Sequence, residues 1–281
     1  MKKINIVLIF TLLMSLFIGV IPSDAASNVK VHVIDVGQGD SILIQTGNEN
    51  ILIDGGNKGK GDEVVAYLKK QKVKTLNAVI STHPDADHVG GLAEVIDTLK
   101  VKSVYAPKVT HTTIAYKNFL TSVKKKGLKI KVAKKGVEVP TKAKNITLKF
   151  LGPVTTYSKS DLNNWSAVLQ LTHSKKKFLF TGDAETKAEN DMLKAGVLSK
   201  VDVLKVSHHG AKEATTTNFL NKVKPTYAAI SVSSTNGYGH PTSVTLKRLK
   251  AKKTKIYRTD KNGSIVFTST GKKITVKAAK K

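Results

Sequence analysis

The chain of 281 residues contains no cysteine. Disulfides, thiol nucleophiles, thiolate zinc sites and a lipid-modified cysteine anchor are therefore excluded, and stability must come from packing and from any bound metal. Aromatic residues make up only 6 % of the chain, so a platform for stacking single-stranded bases is not evident. Arginine is nearly missing: Arg248 and Arg258 stand alone among 47 basic residues. Lysine is a point charge without arginine's planar fork, which favours general attraction to phosphate over base reading. Acidic residues are scarce too, and 47 − 20 leaves a formal charge of +27. Such an excess attracts polyanions such as DNA, an anionic cell-wall polymer or an anionic membrane surface.

The long apolar stretch of the chain lies at its start. Lys2 and Lys3 precede an apolar run from Ile4 to Ile21, broken by Asn5, Thr11 and Ser15. Pro22 and the small-residue site Ser23-Asp24-Ala25 follow. Residues 1–25 thus read as a secretory signal peptide cleaved after Ala25, with an uncleaved membrane anchor as the rival. The expectation is a secreted protein, held on an anionic wall by its lysines and without a membrane span after cleavage. Residues 26–281 are long enough for one α/β domain.

Hydrophobic period separates strands from helices along that domain. Strands are expected at 29–36, 41–45, 51–53, 76–81 and 101–106, with helices at 62–71, 92–99 and 115–126. Strands dominate 128–151, and 165–171 pairs with 177–181 as a hairpin. Helices at 185–195, 216–222 and 242–249 alternate with strands at 201–206 and 227–233. The tail reads as strands at 255–258, 264–268 and 273–277, the first two joined by the turn Asp260-Lys261-Asn262-Gly263. Two β-rich blocks with interspersed helices fit two sheets packed face to face with helices outside.

The densest chemistry is His83-Pro84-Asp85-Ala86-Asp87-His88, four possible metal ligands in six residues. It follows the buried strand and precedes Gly90-Gly91. A polar turn with a capping Asp would explain one of these carboxylates, but not two with two imidazoles. Neutral imidazole and carboxylate suit divalent zinc or manganese. A carboxylate such as Asp87, between two metals, also positions the water they acidify. Asp54 ends a strand before Gly55-Gly56 and reads as an orienter of a ligand histidine. His240, in Gly239-His240-Pro241, reads as a group that binds a phosphoryl oxygen or protonates a leaving group. His32, His111 and His173 read as structural, and Asp35 and Asp40 as shaping the turn around Gly37-Gln38-Gly39.

The stretch from His83 to His88 resembles the metal motif of the metallo-β-lactamase superfamily, His-x-His-x-Asp-His, with Asp85 in place of the second His. That variant looks like the hydrolase domain of ComEC-type competence proteins. The set is extended by Val33-Ile34-Asp35-Val36-Gly37-Gln38-Gly39-Asp40-Ser41, Leu52-Ile53-Asp54-Gly55-Gly56, Asn163-Asn164-Trp165-Ser166, Thr181-Gly182-Asp183, Ser207-His208-His209-Gly210 and Gly239-His240-Pro241. The resemblance implies a four-layer αββα sandwich holding one or two divalent ions. It implies that Asp183 bridges two metals and that one histidine of His208 and His209 completes the position of Asp87 and His88. Side chains alternate along a strand, so only one of that pair is expected, with a lean towards His208. Asn163, Asn164 and Ser166 lie where typical members place another ligand histidine, and supply outer support instead. With Asp85, this makes the site oxygen-rich and better suited to Mn²⁺ than an ordinary three-histidine zinc site.

The functional expectation is a secreted metal-dependent hydrolase in which an acidified water attacks a phosphodiester, with DNA as substrate. The alternatives are hydrolysis of small esters such as phosphocholine esters or lactones, and a non-enzymatic DNA- or wall-binding protein with a relic site.

Overall fold

The computed structural model describes residues 28–280. The readings of a signal peptide, its cleavage site and an N-terminal anchor fall on residues 1–27 and lie outside the described residues. Among the described residues, sixteen strands run in chain order. The first eight are β1 (Val29–Val33), β2 (Ile42–Gln45), β3 (Asn50–Ile53), β4 (Thr75–Leu76), β5 (Ala78–Ile80), β6 (Lys100–Val101), β7 (Val104–Ala106) and β8 (Ile130–Val132). The rest are β9 (Ile146–Phe150), β10 (Leu169–His173), β11 (Lys176–Phe180), β12 (Val203–Lys205), β13 (Tyr227–Ile230), β14 (Lys255–Arg258), β15 (Ile265–Ser269) and β16 (Ile274–Ala278). Between them lie helices α1 (Gly61–Lys70), α2 (Ala86–Val89), α3 (Leu92–Thr98), α4 (Ile114–Lys125), α5 (Thr186–Lys194), α6 (Thr217–Val223), α7 (Ser243–Ala251) and α8 (Thr259–Asn262).

One large sheet has eight strands in the order β16-β15-β1-β2-β3-β5-β7-β8, a second has six, β14-β13-β12-β11-β10-β9, and β4 and β6 pair as a small parallel ladder of their own. Within each large sheet, antiparallel hairpins give way to a parallel run: β3-β5-β7-β8 in the first and β11-β12-β13-β14 in the second. Strand alternation explains the layering. Ile51, Ile53, Ala78 and Ile80 face the other sheet's Leu169, Phe178 and Phe180, while Leu52 and Val79 face outward. On that outer side they meet Leu68 of α1, Val95 of α3 and Phe119 of α4. Leu179, Leu204 and Ala228 meet Met192 of α5, Phe219 of α6 and Leu249 of α7 on the opposite outer side. This is the four-layer αββα sandwich, and each fully buried large apolar side chain contributes about 1.5–3 kcal/mol to holding it. Thr113, Thr216 and Thr242 cap α4, α6 and α7 by accepting from an N–H three residues on, worth about 1 kcal/mol each.

The tail departs from its sequence reading. β14 is the edge of the six-stranded sheet, parallel to β13, whereas β15 pairs antiparallel with β1 in the eight-stranded sheet. Residues 259–262 form a helical turn, so this segment is a crossover between sheets and not a hairpin. Arg258 binds Asp260 through both Nε and a terminal nitrogen, and Asn262 Oδ1 accepts from the Arg258 N–H. Those side-chain bonds stabilise the turn in place of strand pairing. Between β8 and β9 the chain is mostly loop, with one isolated bridge from Glu138 to Lys149.

Candidate metal centre

The cluster residues sit on the segments that follow strands of the two parallel runs. β3 delivers Asp54, β5 delivers Thr82 and His83, β11 delivers Asp183, and β12 delivers His208 and His209. Carboxyl ends of parallel strands are where backbone diverges into loops and leaves room for a ligand. After β5 the chain turns at Asp85 and enters the single turn α2, which carries Asp87 and His88. Close backbone contacts fix this loop. A Cβ on Gly91 would lie 2.3 Å from the Gly55 carbonyl oxygen, and one on Gly39 would lie 2.2 Å from that of Asp87. Gly182, at φ +50, brings the two sheets together, because a Cβ there would meet Thr82 at 2.9 Å.

Asp183 is the hub. Its Oδ2 lies 3.2 Å from His88 Nε2, 3.5 Å from His209 Nε2, 3.8 Å from His208 Nε2 and 4.0 Å from His83 Nε2. Asp87 Oδ2 lies 3.2 Å from His209 Nε2 and 3.9 Å from His88 Nε2. Asp87, His88, Asp183 and His209 offer ligand atoms that all lie within 4.8 Å of one another. His83 Nε2 is 3.4 Å from Asp85 Oδ2, which sets a second group beside the first.

The other ring nitrogens show that this set fits a cation. His88 Nδ1 is bound by Asp54 Oδ2 at 2.9 Å, His209 Nδ1 by the Ser231 carbonyl at 2.9 Å, and His83 Nδ1 contacts Thr82 Oγ1 at 3.1 Å. Each imidazole is thereby oriented through Nδ1, and Nε2 is left facing Asp183. His83 Nε2, His88 Nε2 and Asp183 Oδ1 are buried without a hydrogen-bond partner. Buried polar atoms are rarely left so, and a divalent cation satisfies all three.

Charges agree. Burial disfavours charge on His88, yet the carboxylates of Asp183, Asp87 and Asp54 prevail and raise its pKa well above the ordinary value. Burial likewise opposes ionisation of Asp183, but His88, His209 and His83 hold it well below the usual carboxylate range. Asp87 is depressed for the same reason, by His88 and His209 against burial. The carboxylates demand positive charge, which protons supply in the absence of a metal.

The structure separates the two adjacent histidines. His209 is buried in the cluster, whereas His208 turns its Nδ1 to Glu185 Oε1 at 3.0 Å and borders the cleft. Strand alternation argues only that one of the two enters the site, and these residues are not in a strand. Both are left-handed, at φ 47 and φ 52, and Gly210 follows at φ +89. Burial lowers the His208 pKa, and the neighbouring carboxylates of Glu185 and Asp183 raise it, with a net rise.

Asp54 accepts from the Thr82 N–H and hydroxyl as well as contacting His88. Asn163 lines the cleft and donates to Glu185. Asn164 lies behind it, accepting from the N–H groups of Glu185 and Ala188 at the start of α5. Ser166 Oγ accepts from the Asp183 N–H at 3.0 Å. His240 lines the cleft with its Nδ1 unpartnered, and burial lowers its pKa.

Several residues escaped the sequence reading. His111 Nε2 lies 3.8 Å from Asp85 Oδ1. Glu185, Gln38 and Tyr238 also belong to the neighbourhood, the last two lining the cleft. Asp40 does more than shape a turn: its Oδ2 pairs with buried Lys205 Nζ at 2.7 Å, and its Oδ1 lies 3.6 Å from His209 Nδ1. The spacing of Gly39-Asp40 gave no sign of this, and Lys205 looked like any other lysine in a strand.

The chain can be set beside known proteins. ComE operon protein 3 of Bacillus subtilis (strain 168) is 30 % identical over 260 residues, covering 86 % of this chain and 33 % of that protein. Competence protein ComA of Neisseria gonorrhoeae is 29 % identical over 259 residues, covering 91 % of this chain and 35 % of that protein. The chain thus spans about a third of the length of these curated relatives. Among solved structures, the metallo-beta-lactamase fold protein YhfI from Bacillus subtilis aligns at TM-score 0.55 and 14 % identity, covering 86 % of this chain and 100 % of that one. Igni18, a metallo hydrolase from Ignicoccus hospitalis KIN4/I, aligns at TM-score 0.53 and 16 % identity, over 86 % and 99 %. At such identities these two speak for the fold. A family model described as Metallo-beta-lactamase superfamily matches residues 34–234. With that match laid over the ligand cluster at the strand ends, the chain belongs to the metallo-beta-lactamase superfamily of metal-dependent hydrolases, and ComEC-type competence proteins are among its relatives.

Proposed function

We propose that the protein is a secreted phosphodiesterase acting on DNA. The observation that carries the hydrolytic part is the convergence of His83, His88 and His209, each oriented through Nδ1, on the buried carboxylate of Asp183. Asp87, His88, Asp183 and His209 would hold one divalent ion, and His83, Asp85 and Asp183 a second. The position with one imidazole is oxygen-rich and suits Mn²⁺, and the position with two suits Zn²⁺ or Mn²⁺. When bound, the metal acidifies a water and offsets the charge that develops on the phosphoryl oxygens.

The chain's own residues do the rest. Asp87 would position the attacking water, whose oxygen bonds to phosphorus as the ester P–O bond breaks, one of that water's two protons ending on the leaving oxygen. Asp54 and Ser231 keep their histidines in register, and Ser166 holds the backbone of Asp183. His240, with a free Nδ1 beside the cleft, binds a phosphoryl oxygen.

The cleft, about 400 Å³, is lined by Gln38, Asn163, acids and imidazoles, with few apolar groups. That favours a polar phosphodiester over an apolar lactone or ester. The competence proteins among the relatives and the charge of +27 support a nucleic acid as the polymer. The test is a substrate panel of duplex and single-stranded DNA, a small phosphodiester, phosphocholine esters and lactones, each with Mn²⁺, Zn²⁺ or chelator. Metal-dependent cleavage of the phosphodiesters, lost in Asp87→Ala, is expected. Turnover of a lactone or phosphocholine ester alone would move the reading to that class, and DNA binding without any turnover would leave a binding protein.

A further inference from the structure

A larger cavity, about 600 Å³, lies beside the metal cleft. Its lining includes Lys108, Lys134, Lys135, Thr155 and Trp165, and no acidic residue. The metal cleft is lined by Asp85, Asp87 and Asp183. Two neighbouring cavities therefore carry opposite charge, one fit for cations and the other for anions.

The two cavities have no lining residue in common, but the same two segments border both. Lys108 begins the loop that carries His111 and Thr113 to the metal cleft. Three peptide units separate the Cα atoms of Lys108 and His111 by at most about 11 Å. On the other wall, Asn163 lines the metal cleft and Trp165, two residues on in the same tight turn, lines the basic cavity. A strand of nucleic acid carries one phosphate for about every 3.4 Å of duplex axis. The near neighbours of a diester held at the metal centre are therefore within reach of a cavity bordered by the same segments. The lysines also sit on ordered backbone: the Lys135 N–H donates to the Pro153 carbonyl at 3.0 Å, and the Ala133 N–H to that of Ala106 at 2.9 Å.

Position sets this cavity apart, because lysines are common here. A cavity of about 360 Å³ is lined by Lys30, Lys70 and Lys72, again without an acid. It lies where β1 begins and β2 ends, at the end of the eight-stranded sheet away from Asp54 and His83.

We propose that the pocket of Lys108, Lys134 and Lys135 is a second anion subsite, holding backbone phosphates of a nucleic acid whose scissile diester lies at the metal centre. This rests on the phosphodiesterase reading of that centre. A wall polymer of polyol phosphates offers the same anions. The nucleic acid is favoured by Tyr238, which is 72 % exposed at the mouth of the metal cleft with its ring stacked on His240 at 5.7 Å. A base can stack on that ring and a polyol cannot.

The test compares K108A/K134A/K135A with K30A/K70A/K72A, which removes the same charge at the far end. Affinity for a labelled 20-nucleotide single-stranded DNA is measured by anisotropy in chelator, from low to moderate salt, with thermal unfolding to confirm that both variants fold. The first variant should bind roughly tenfold or more weakly at about 0.1 M salt, and its slope of log affinity against log salt should flatten by about 2 to 3. The second should stay within about twofold of the unaltered protein. If cleavage occurs, KM for DNA should rise in the first variant with little change in kcat. Equal effects in the two variants, or none in the first, would overturn the subsite. So would a loss of affinity for poly(glycerol phosphate) with none for DNA, which assigns the pocket to a wall polymer. Turnover of a small phosphodiester by the unaltered protein is measured separately, so failure of the metal-centre reading is distinguished from failure of the subsite.

Discussion

At the scale of single residues, what each side chain can do at the centre depends on which of its atoms is already engaged. Asp54 makes three contacts, two to Thr82 and one to His88 Nδ1, and none of its atoms is exposed to the cleft. Asp54→Asn puts an amide where a carboxylate accepts from the ring, so His88 loses its orientation. Metal affinity should fall by about 10- to 100-fold, as calorimetric titration would show. An unchanged affinity would mean that Asp54 only braces the loop. His32 gives a separate handle on stability. It is buried in β1 beside Tyr67, and burial lowers its pKa from 6.5 to about 4. Between those two values the unfolded chain carries the proton and the folded chain does not. Stability is therefore full above pH 6.5 and declines as pH falls towards 4, by roughly 3 kcal/mol from this group. His32→Gln should flatten urea-measured stability across that window, and parallel curves for the two proteins would refute the assignment. The residue types of the centre were legible in sequence, because His83 to His88 has few structural explanations. The choice between His208 and His209 was not, since the backbone there is left-handed and the parity rule for strands does not apply.

At the scale of elements, two contacts hold the loops of the centre in place. The first is the buried ion pair of Lys205 and Asp40, which crosses from β12 to the loop after β1. Removing one charge leaves the other buried and alone, at a cost of about 3–5 kcal/mol. Lys205→Met should lower the melting temperature by about 10 °C. Adding Asp40→Asn should restore part of it, and a single variant as stable as the parent would contradict the pairing. The second is the abutment of Gly91 on the Gly55 carbonyl. Gly91 has an ordinary φ of −94, so alanine is excluded by the neighbouring backbone and not by conformation. Gly91→Ala should destabilise by about 1–3 kcal/mol and weaken metal binding together, because it pushes the loop of Asp87 and His88 off that of Asp54. Alternation made most strands readable. The crossover from β14 to β15 was misread because Asp-Lys-Asn-Gly carries the composition of a hairpin turn, while the partners that choose the sheets, β13 and β1, are remote in sequence.

At the scale of the whole molecule, a single bridge between two sheets makes the site. One sheet supplies His83, Asp87 and His88, the other supplies Asp183 and His209, and Gly182 lets them meet. The sequence announced the sandwich through its motifs and their order. It held no sign that Lys108, Lys134 and Lys135 gather in one pocket while Lys30, Lys70 and Lys72 line another at the far end, since that depends on how the loops meet. Among the described residues no helix is long and apolar enough to cross a membrane. The charge of +27 is spread over many lysines, so Asp87→Ala should abolish metal-dependent cleavage and leave most DNA binding at matched salt. The most direct test of the central claim is metal content. The unaltered protein, His209→Ala and His208→Ala would be loaded with Mn²⁺ or Zn²⁺, dialysed, and assayed by elemental analysis. One or two ions per unaltered chain are expected, with a clear loss in His209→Ala and near-normal content in His208→Ala. Full metal content in His209→Ala, with loss in His208→Ala, would contradict that claim.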